Sequence, residues 1–373
     1  MGTPATSCAA VAAHGLPRSL HEPRREPLGD SAWAALVLCA GHERVTGLLA
    51  RAIADGALPA TAEQAEEAQS AHRVSMAAAL ALERTLLRTV KRFAEAGIDY
   101  RVLKGPAAAH LDYPDPSLRS FGDIDVLVRS EQFDAAVGLL VRAGHRRRFP
   151  EPRPGFDRRF GKGCCLVHPE GHQVDLHRTL AMGPFGLMVR LADLWAPPPS
   201  TFRLAGQDLL ALGLPERFLH ACFHAALGDS VPRLVAVRDV AQMVLCQPLD
   251  LTRVRYLASA WKADAVVARA VDLAWGVLGI DREGAGPVAS WALSLRPGDR
   301  DRRAMAVYLD HGQTYAAKSF AGVRAIGPWR DKAAFLFTMA FPRRRYLKER
   351  HEATLRRWRR GVTQVVRSNR RSV

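Results

Sequence analysis

Two aspartates separated by a single residue, Asp123 and Asp125, are the side chains of this sequence best suited to chemistry. They stand at the entrance of the apolar run 124–128, which predicts a β-strand. Residues two apart on a strand share a face, so both carboxylates would point the same way, roughly 7 Å apart. Such a pair can hold a hard cation such as Mg²⁺. The tripeptide alone more often marks a solvated loop end, so its neighbours decide its meaning.

A turn that could bind phosphate precedes this pair. The strand-like run 100–103 stops at Lys104-Gly105-Pro106 and passes into an Ala-rich helix start. Glycine lets the backbone approach a ligand closely, and proline suits the first turn of a helix. The free N–H groups at such a helix start favour anions such as phosphate. A phosphate-binding turn next to a carboxylate pair predicts nucleotide chemistry.

A third carboxylate lies on a predicted hairpin. Residues 164–168 and 172–178 alternate like strands and are joined by a Pro-Glu-Gly turn. On the second strand Asp175 and His177 face one way, and the apolar residues beside them face the other. An aspartate on a solvated strand face would show the same alternation.

Taken together, these elements resemble a bacterial family of largely uncharacterised nucleotidyltransferases within the DNA polymerase β-type superfamily. The resemblance rests on Leu103-Lys104-Gly105, on the Tyr-Pro-Asp-Pro run 113–116, and on Leu118-Arg119 with the run 122–128. It covers roughly residues 33–346 and is densest over 101–239. The sequence departs from the wider superfamily at Pro106, where a serine usually contacts phosphate. The charge of Lys104 would substitute for that hydroxyl.

The resemblance implies a metal-dependent mechanism. The run 174–177 resembles the third motif of the family, which makes Asp175 the third acid. Asp123 and Asp125 would hold one Mg²⁺ (Mn²⁺ is the alternative) and would share a second with Asp175, which activates an acceptor hydroxyl for attack on the α-phosphorus. The implied nucleotide-binding residues are Lys104, Gly105, Arg119, Gly122 and His177. A structural ion pair fits Arg119 equally well, and a hydrogen bond that orients Asp175 fits His177.

The resemblance also implies an α+β fold, with a polymerase β-type nucleotidyltransferase core in which helices flank a mixed sheet. The expected divisions are a flexible N-terminal segment (1–30), N-terminal helices packed on the core (31–97), the catalytic core (98–213), a helical substrate-framing domain (214–341) and a basic C-terminal helix or tail (342–373).

Three local expectations follow from shorter patterns. A long helix over about 61–96 should bury Leu80, Leu82, Leu86, Leu87 and Val90. Residues 207–213 should form an edge strand. His220 and His224 lie four residues apart on one side of a predicted helix, a spacing that can bind zinc. Ala221 stands where a metalloprotease helix has glutamate, so we assign no zinc there.

Composition bounds the class of protein. With 373 residues and 48% apolar content, the chain is long and apolar enough for globular domains with real cores. Its six cysteines lack metal-ligand spacing, which suits reduced thiols in the cytosol. No apolar run reaches the roughly 18 residues of a membrane span, and the N-terminus does not resemble a signal peptide. We therefore expect a cytoplasmic location.

Positive charge is concentrated in the last segment. Residues 342–373 carry twelve Lys or Arg and two Glu, a net of +10, so the rest of the chain contributes +6 of the total +16. A solvated helix face or flexible tail explains such a run as well as an anionic partner does, whether nucleic acid, membrane surface or acidic polymer. An amphipathic helix on acidic lipid would make the protein peripheral at the membrane.

Three functions fit these observations. The favoured hypothesis is a nucleotidyltransferase that moves a nucleoside monophosphate from an NTP to an unidentified acceptor hydroxyl or phosphate, on a small molecule, peptide, protein or RNA end. A glycosyltransferase also uses Asp-x-Asp to hold a metal and a nucleotide sugar, but it gives no reason for Lys104 or Asp175. A non-catalytic nucleotide- or nucleic-acid-binding protein on the same fold has no need of three carboxylates.

Overall fold

The computed structural model describes residues 4–22, 24–228, 231–283, 286–309 and 321–349. Within them lies a seven-stranded mixed sheet with the strand order β3-β4-β5-β2-β1-β7-β6. The strands are β1 Tyr100–Val102, β2 Ile124–Val128, β3 Arg146–Arg147, β4 Gly163–Val167, β5 Gln173–His177, β6 Ser200–Leu204 and β7 Gln207–Ala211. The pairs β2–β5 and β1–β7 are parallel, and the other neighbouring strands are antiparallel.

Helices surround the sheet and form a second layer beyond it. They are α1 Pro4–Ala13, α2 Asp30–His42, α3 Thr46–Ala54, α4 Ala62–Glu95, α5 Lys104–Asp112, α6 Phe133–Arg142, α7 Phe156–Arg159, α8 Gly183–Met188, α9 Leu214–Leu227, α10 Leu234–Cys246, α11 Leu251–Ala260, α12 Asp264–Leu278, α13 Gly286–Ser294 and α14 Asp299–Leu309, followed by Trp329–Ala340 and Arg344–Glu349. Short 3₁₀ turns span Pro116–Leu118, Ser130–Gln132, Leu191–Leu194 and Ala321–Ala325. The predicted α+β fold class is confirmed.

The long helix α4 is fixed at both ends by local chemistry. At its start the Thr61 hydroxyl accepts a hydrogen bond from the Gln64 backbone N–H, and the Gln64 side chain accepts one from the Thr61 N–H. This capping box satisfies two donors that a helix start leaves free. Gly97, with a φ of 64°, follows its C-terminal end.

One face of α4 packs on the sheet. Its buried residues there are Leu82, Leu86, Val90 and Phe93. Leu87 is only partly buried, and Leu80 is 61% exposed. The expectation for Leu80 is wrong because Leu80 precedes Leu82 by two residues and so projects from the opposite side of the helix.

The hairpin β6–β7 extends the sheet beside β1. β7 pairs with β1 through Val102 and Ala211 and with β6 along its whole length. The strand expected over 207–213 is confirmed as β7, but its expected edge position is wrong, because β6 takes the edge. β6 was not predicted because a run of prolines precedes Ser200. In this strand the buried Phe202 alternates with exposed neighbours.

Two large apolar cores, together with a small cluster around Phe156 and Phe335, stabilise the described part of the molecule. The smaller core lies around the sheet and includes residues of α4, α5 and α6. The larger core joins α1, α2 and α3 to the distant helices α9, α10 and α12. The larger core therefore crosses the expected divisions at residues 97 and 213, because α1 packs on α2 and α3 and also on α10 and α12.

Residues 4–22 correct the expectation of a flexible N-terminal segment. Within α1, Cys8, Val11, Ala12 and Ala13 are buried in the larger core. At the end of α1, Arg238 donates hydrogen bonds of 2.7 Å to the backbone oxygens of Ala12 and His14. These bonds satisfy carbonyl groups that a helix end leaves unpaired. The segment looked unstructured because its small side chains form no apolar stripe.

Two expectations concern the membrane and the basic end of the chain. No helix in the described ranges combines the length and the apolar content needed to cross a membrane. Of the basic segment 342–373, the structure describes residues 342–349, which include the helix Arg344–Glu349. The rest of that prediction lies outside the described residues.

Candidate active site

The predicted carboxylates meet across two neighbouring parallel strands. β2 and β5 pair so that Asp125 lies opposite Asp175, and Leu127 lies opposite His177. Side chains alternate along a strand, so the polar residues share one face and the apolar residues between them enter the core. Ligand atoms of Asp125, Asp175 and His177 lie within 4.8 Å of one another.

Asp125 is the buried centre of this cluster, with 1% of its surface exposed. Its Oδ1 lies 2.8 Å from Lys104 Nζ and 2.8 Å from His177 Nε2. Burial alone would raise the pKa of the Asp125 carboxyl, but the Lys104 ammonium and the His177 hydrogen bond hold this pKa well below its usual range. Asp125 is therefore a carboxylate, and neither contact uses its Oδ2.

The two partners of Asp125 carry different charges. Burial opposes the charge of Lys104, but the Asp125 and Asp123 carboxylates raise its pKa above the ordinary value, so Lys104 is an ammonium. Burial, reinforced by the nearby Lys162, lowers the pKa of His177, so the neutral ring donates its Nε2–H to Asp125. His177 is 1% exposed and does not line the cavity that opens beside this cluster. The residue that His177 orients is Asp125, not Asp175.

Asp175 differs from Asp125 in making no ion pair within the described residues, although the Cys165 thiol is next to it and the charges of Lys104 and Lys162 attract it from beyond contact distance. Its Oδ1 is buried and has no hydrogen-bond donor among the residues that the structure describes. Buried polar atoms are normally hydrogen-bonded, and an unpaired buried charge is costly unless it meets a cation. A divalent cation bound by Asp125 and Asp175 would satisfy this atom, so the donor set fits a metal ion such as Mg²⁺.

Asp123 lies at the rim of the site. It directly precedes β2, its side chain is 32% exposed, and its Oδ1 is 3.6 Å from Arg44 Nη1. Its oxygens do not belong to the cluster formed by Asp125, Asp175 and His177. The structure thus brings two of the three predicted acids together and places the third just before β2, where it lines the same cavity as Asp125.

The predicted phosphate-binding turn is sharply bent. Lys104 has a φ of 29°, which L residues rarely adopt, and Gly105 follows with φ 14° and ψ −104° in the first turn of α5. The Leu103 N–H donates a 2.9 Å hydrogen bond to the Asp125 backbone oxygen, which ties the turn to β2. This geometry directs the Lys104 ammonium onto Asp125.

Arg119 forms a buried ion pair with Asp239. Its Nη2 and Nε lie 2.7 and 3.2 Å from the two Asp239 oxygens, and the Tyr113 hydroxyl donates to the same carboxylate at 2.9 Å. Burial would lower the pKa of Arg119, but Asp239 raises it above its ordinary value, so Arg119 is charged. The pair fastens the loop that leads to Asp123 onto α10. Asp239 was visible in the sequence only as part of an Arg-Asp pair on a helix.

Three further titratable groups surround the cluster and were not assigned from the sequence. Burial lowers the pKa values of His220 and His224 well below the ordinary range, with Lys104 adding to the effect. Burial and Lys104 also lower the pKa of Lys162, which is opposed by the attraction of Asp125 and Asp175. Within the described ranges, His220 and His224 belong to no group of three metal-binding side chains.

A cavity of about 180 Å³ opens beside these residues. The predicted residues that line it are Lys104, Gly105, Arg119, Asp123 and Asp125. Its lining also includes Arg44, His224 and Arg233, whereas Asp175 and His177 are not part of it. Gly122 lies outside the lining, next to the Arg44 guanidinium.

Comparison with known proteins identifies the family. The model of a family described as uncharacterised nucleotidyltransferases matches residues 29–279. A structure of the antibiotic-resistance factor ANT(2'')-Ia is 14% identical over 49% of this chain and 92% of its own, with a TM-score of 0.34. A nucleotidyltransferase-like antigen from Paracoccidioides brasiliensis is 17% identical over 54% of this chain and 93% of its own, with a TM-score of 0.33. No curated protein sequence matches the chain.

The two structural likenesses are too weak to carry an argument, whereas the family match covers more than half of the chain. It also contains every residue described at the site, from Arg44 to Asp239. The resemblance carried by the sequence motifs is confirmed: the chain belongs to this family of uncharacterised nucleotidyltransferases.

Proposed function

We propose that the protein is a metal-dependent nucleotidyltransferase that moves a nucleoside monophosphate from an NTP, such as ATP, to an acceptor hydroxyl or phosphate. One observation carries the proposal. Asp125 and Asp175 face each other on parallel strands, and the buried Asp175 Oδ1 has no hydrogen-bond partner within the described residues. Carboxylates arranged around an unsatisfied oxygen suit a hard divalent cation. Membership of the family supports the same reaction class.

The residues proposed to hold the cation are Asp125 and Asp175, with Asp123 as a third ligand. Mg²⁺ prefers oxygen to nitrogen, which favours Asp123 over His177. His177 then keeps its hydrogen bond to Asp125 and acts as a positioning residue. Bound Mg²⁺ or Mn²⁺ would lower the pKa of an acceptor hydroxyl and neutralise charge on the transferred phosphate.

The protein's own contribution is mainly positioning and charge. Lys104 supplies an ammonium at the cavity wall, next to the carboxylates. Gly105 lets a phosphate approach the turn without meeting a side chain. Arg119 and Asp239 hold the loop before Asp123 in place from behind. Holding the donor and acceptor in line and compensating developing negative charge are the main needs of such a reaction.

A second candidate function is a non-catalytic nucleotide- or nucleic-acid-binding protein. It is favoured by the contact between Lys104 and Asp125, because an ammonium already compensates the carboxylate that a metal would use. The Asp175 Oδ1 atom favours the metal-dependent enzyme, because Lys104 does not reach it and it accepts no hydrogen bond within the described residues. The glycosyltransferase alternative is weaker because the family match is to nucleotidyltransferases.

Transfer of label from an NTP labelled at its α-phosphate tests the proposal. Wild-type protein with Mg²⁺ and a cell lysate should give a labelled product. Asp175→Asn should reduce labelling about 100-fold, because several kcal/mol of charge stabilisation depend on the metal. Asp208→Asn, an exposed aspartate on β7, should label normally. Binding of NTP without any transfer, with either Mg²⁺ or Mn²⁺, would favour the binding protein.

The acceptor is proposed only by class: a small molecule, a peptide, a protein or an RNA end that offers a hydroxyl or phosphate. Separating the lysate by size and treating its fractions with protease or ribonuclease before labelling distinguishes these classes. Label that survives both treatments in a small fraction indicates a small molecule.

We further propose a cytoplasmic location with an anionic surface as partner, either membrane or nucleic acid. The helix Trp329–Ala340 and the residue after it expose Trp329, Phe337 and Phe341, and three consecutive arginines follow at 343–345. Exposed aromatic residues beside arginines suit the interface of an acidic membrane. Flotation with anionic vesicles should recover the protein, whereas neutral vesicles should not. Recovery on RNA instead would favour the nucleic acid.

A further inference from the structure

Arg44 reaches the cavity from outside the recognised motifs. It lies between α2 and α3 with a φ of 60°, in the left-handed region. The Arg44 backbone N–H donates a hydrogen bond to the Gly41 backbone oxygen at 3.3 Å. The Val45 N–H donates one to the Ala40 backbone oxygen at 2.9 Å. This is the position after a helix end where glycine is the usual residue, because glycine takes a positive φ without strain. The turn therefore does not account for an arginine here.

The Arg44 side chain rests against the catalytic loop. A Cβ on Gly122 would stand 2.8 Å from Arg44 Nη2, so the absence of a side chain at Gly122 makes room for the guanidinium. Arg44 Nη1 is 3.6 Å from Asp123 Oδ1, which is longer than a hydrogen bond. A guanidinium has five N–H donors, and this loose contact leaves them available to another acceptor.

Arg233 approaches the same cavity from the start of α10. Arg233 lines the cavity, and its guanidinium is close enough to Arg44 to lower the pKa of that residue. Its side chain makes no ion pair or hydrogen bond with any residue in the described ranges. The first N–H groups of α10 are already satisfied, because Leu234 and Val235 donate to the Glu43 side chain and backbone at 2.7 and 3.3 Å. The arginine side chains, and not the helix start, therefore remain as anion ligands. The Glu43 bonds also hold the turn at Arg44 next to α10.

Positive charge exceeds negative charge around this cavity. Arg44, Lys104 and Arg233 face it together with two carboxylates, Asp123 and Asp125. Arg119 is neutralised by Asp239. Burial lowers the pKa of Arg44, and repulsion from Arg233 and Arg119 adds to this despite attraction by Asp123. Cations gathered around a concave site attract anions, and an anion bound there would relieve their repulsion.

We propose that Arg44 and Arg233 form a second phosphate subsite, beyond the phosphate that is transferred. Its ligand is a phosphate group, either the β- and γ-phosphates of the donor nucleotide or a phosphate on the acceptor. The planar fork of arginine matches phosphate oxygens in pairs, which suits both sources. The inference deepens the proposed function, on which the assignment of these two sources rests.

Binding of inorganic tripolyphosphate to the full-length protein, measured by titration calorimetry, tests the subsite. Arg44→Gly and Arg233→Met should each weaken binding about tenfold, the loss expected for one hydrogen-bonded charge. Arg44→Gly gives the turn its usual residue, so thermal unfolding should show a folded protein. Arg18→Gly is the matched control, because Arg18 also has a positive φ (66°) but pairs with Asp281 on the surface. Unchanged affinity in both cavity variants would overturn the subsite.

Affinities for ATP, AMP and orthophosphate show whether the donor or the acceptor supplies the phosphate. If the subsite binds the donor, Arg233→Met weakens the binding of ATP about tenfold and the binding of AMP less than twofold. If it binds the acceptor, the variant leaves the affinity for ATP unchanged. It then weakens the binding of orthophosphate to protein saturated with a non-hydrolysable ATP analogue. An effect on neither ligand contradicts the subsite.

Failure of the subsite and failure of the proposed function are separable, since tripolyphosphate binding needs no turnover. Loss of binding in the variants without any label transfer by wild type would refute the reaction and keep the subsite. Normal label transfer with unchanged affinities would keep the reaction and refute the subsite.

Discussion

Lys104 and Asp125 form a buried ion pair, with Nζ 2.8 Å from Oδ1 and side-chain exposures of 14% and 2%. The pair joins the bent turn at the start of α5 to the middle of β2. Because the ammonium compensates this carboxylate, the fold does not depend on a cation at Asp125. Asp175 makes no ion pair within the described residues and its Oδ1 accepts no hydrogen bond there, so Lys104 and Lys162 compensate it only from a distance. The two acids should therefore respond differently to substitution.

Lys104→Met should lower the free energy of unfolding by about 3 kcal/mol, because Asp125 would keep only a neutral histidine as partner. Mg²⁺ should restore part of this loss by replacing the missing charge. Urea denaturation with and without Mg²⁺ measures both effects. Lys91→Met, whose side chain is 69% exposed, is the control and should change stability by less than about 0.5 kcal/mol. Equal stability of the two variants would mean that the pair contributes nothing.

Asp175→Asn should behave in the opposite way. Without divalent cations the variant should be as stable as wild type, or about 1 kcal/mol more stable, because it removes the charge of an unpaired buried oxygen. Millimolar Mg²⁺ should raise the melting temperature of wild type, since a ligand that binds only the folded state stabilises it. The variant should lose that shift, whereas Asp208→Asn should keep it. A full shift in Asp175→Asn would remove Asp175 from the metal site.

Mild acid should destabilise the protein through its buried histidines. The pKa values of His220 and His224 lie well below 6.5 in the folded state, because of burial and the Lys104 ammonium. The unfolded chain therefore takes up protons first, and the stability due to neutral histidines is present above about pH 6.5 and falls as the pH drops below it. The expected slope is about 1.4 kcal/mol per pH unit for each histidine.

Urea denaturation between about pH 7 and pH 5 measures this slope. His220→Gln should remove about half of the contribution of the two histidines, whatever its effect on stability at neutral pH. An unchanged slope in the double variant His220→Gln/His224→Gln would show that these rings are not the groups responsible.

Arg119→Met should destabilise the fold by about 3–5 kcal/mol, because it leaves Asp239 buried and unpaired. Arg119→Lys should recover only part of this, since lysine cannot form the two-pronged contact. The surface pair of Arg282 and Asp272, whose side chains are 56% and 62% exposed, is the matched control. Arg282→Met should cost less than about 1 kcal/mol. Denaturation curves with similar midpoints for the two methionine variants would contradict the structural role of Arg119.

Parts of the site could be predicted because they depend on local rules. Alternation of polar and apolar residues places Asp125 and Asp175 each on one strand face, and the family resemblance brought them together. The Lys104 turn was also visible, because glycine and proline mark it. The same rules put Asp123 on the face of Asp125, although Asp123 precedes β2 and lies at the rim beside Arg44.

Other parts depend on contacts between distant segments. Nothing in the sequence distinguishes Arg44 or Arg233 from surface arginines, and each reaches the cavity only through the packing of α2, α3 and α10. Lys162 precedes β4 without any motif, and His177 could be placed on a strand but not paired with Asp125. Burial against remote elements decides all of these positions, and local patterns carry no information about it.

The contact between α1 and α10 has a consequence for synthesis of the protein. Residues 4–13 leave the ribosome well before the helices that cover them, because α10 and α12 begin at Leu234 and Asp264. At ordinary rates of translation this interval is on the order of tens of seconds. Throughout it the first helix has no Arg238 to bind its carbonyl groups. A nascent chain stalled before residue 234 should therefore recruit chaperones through α1.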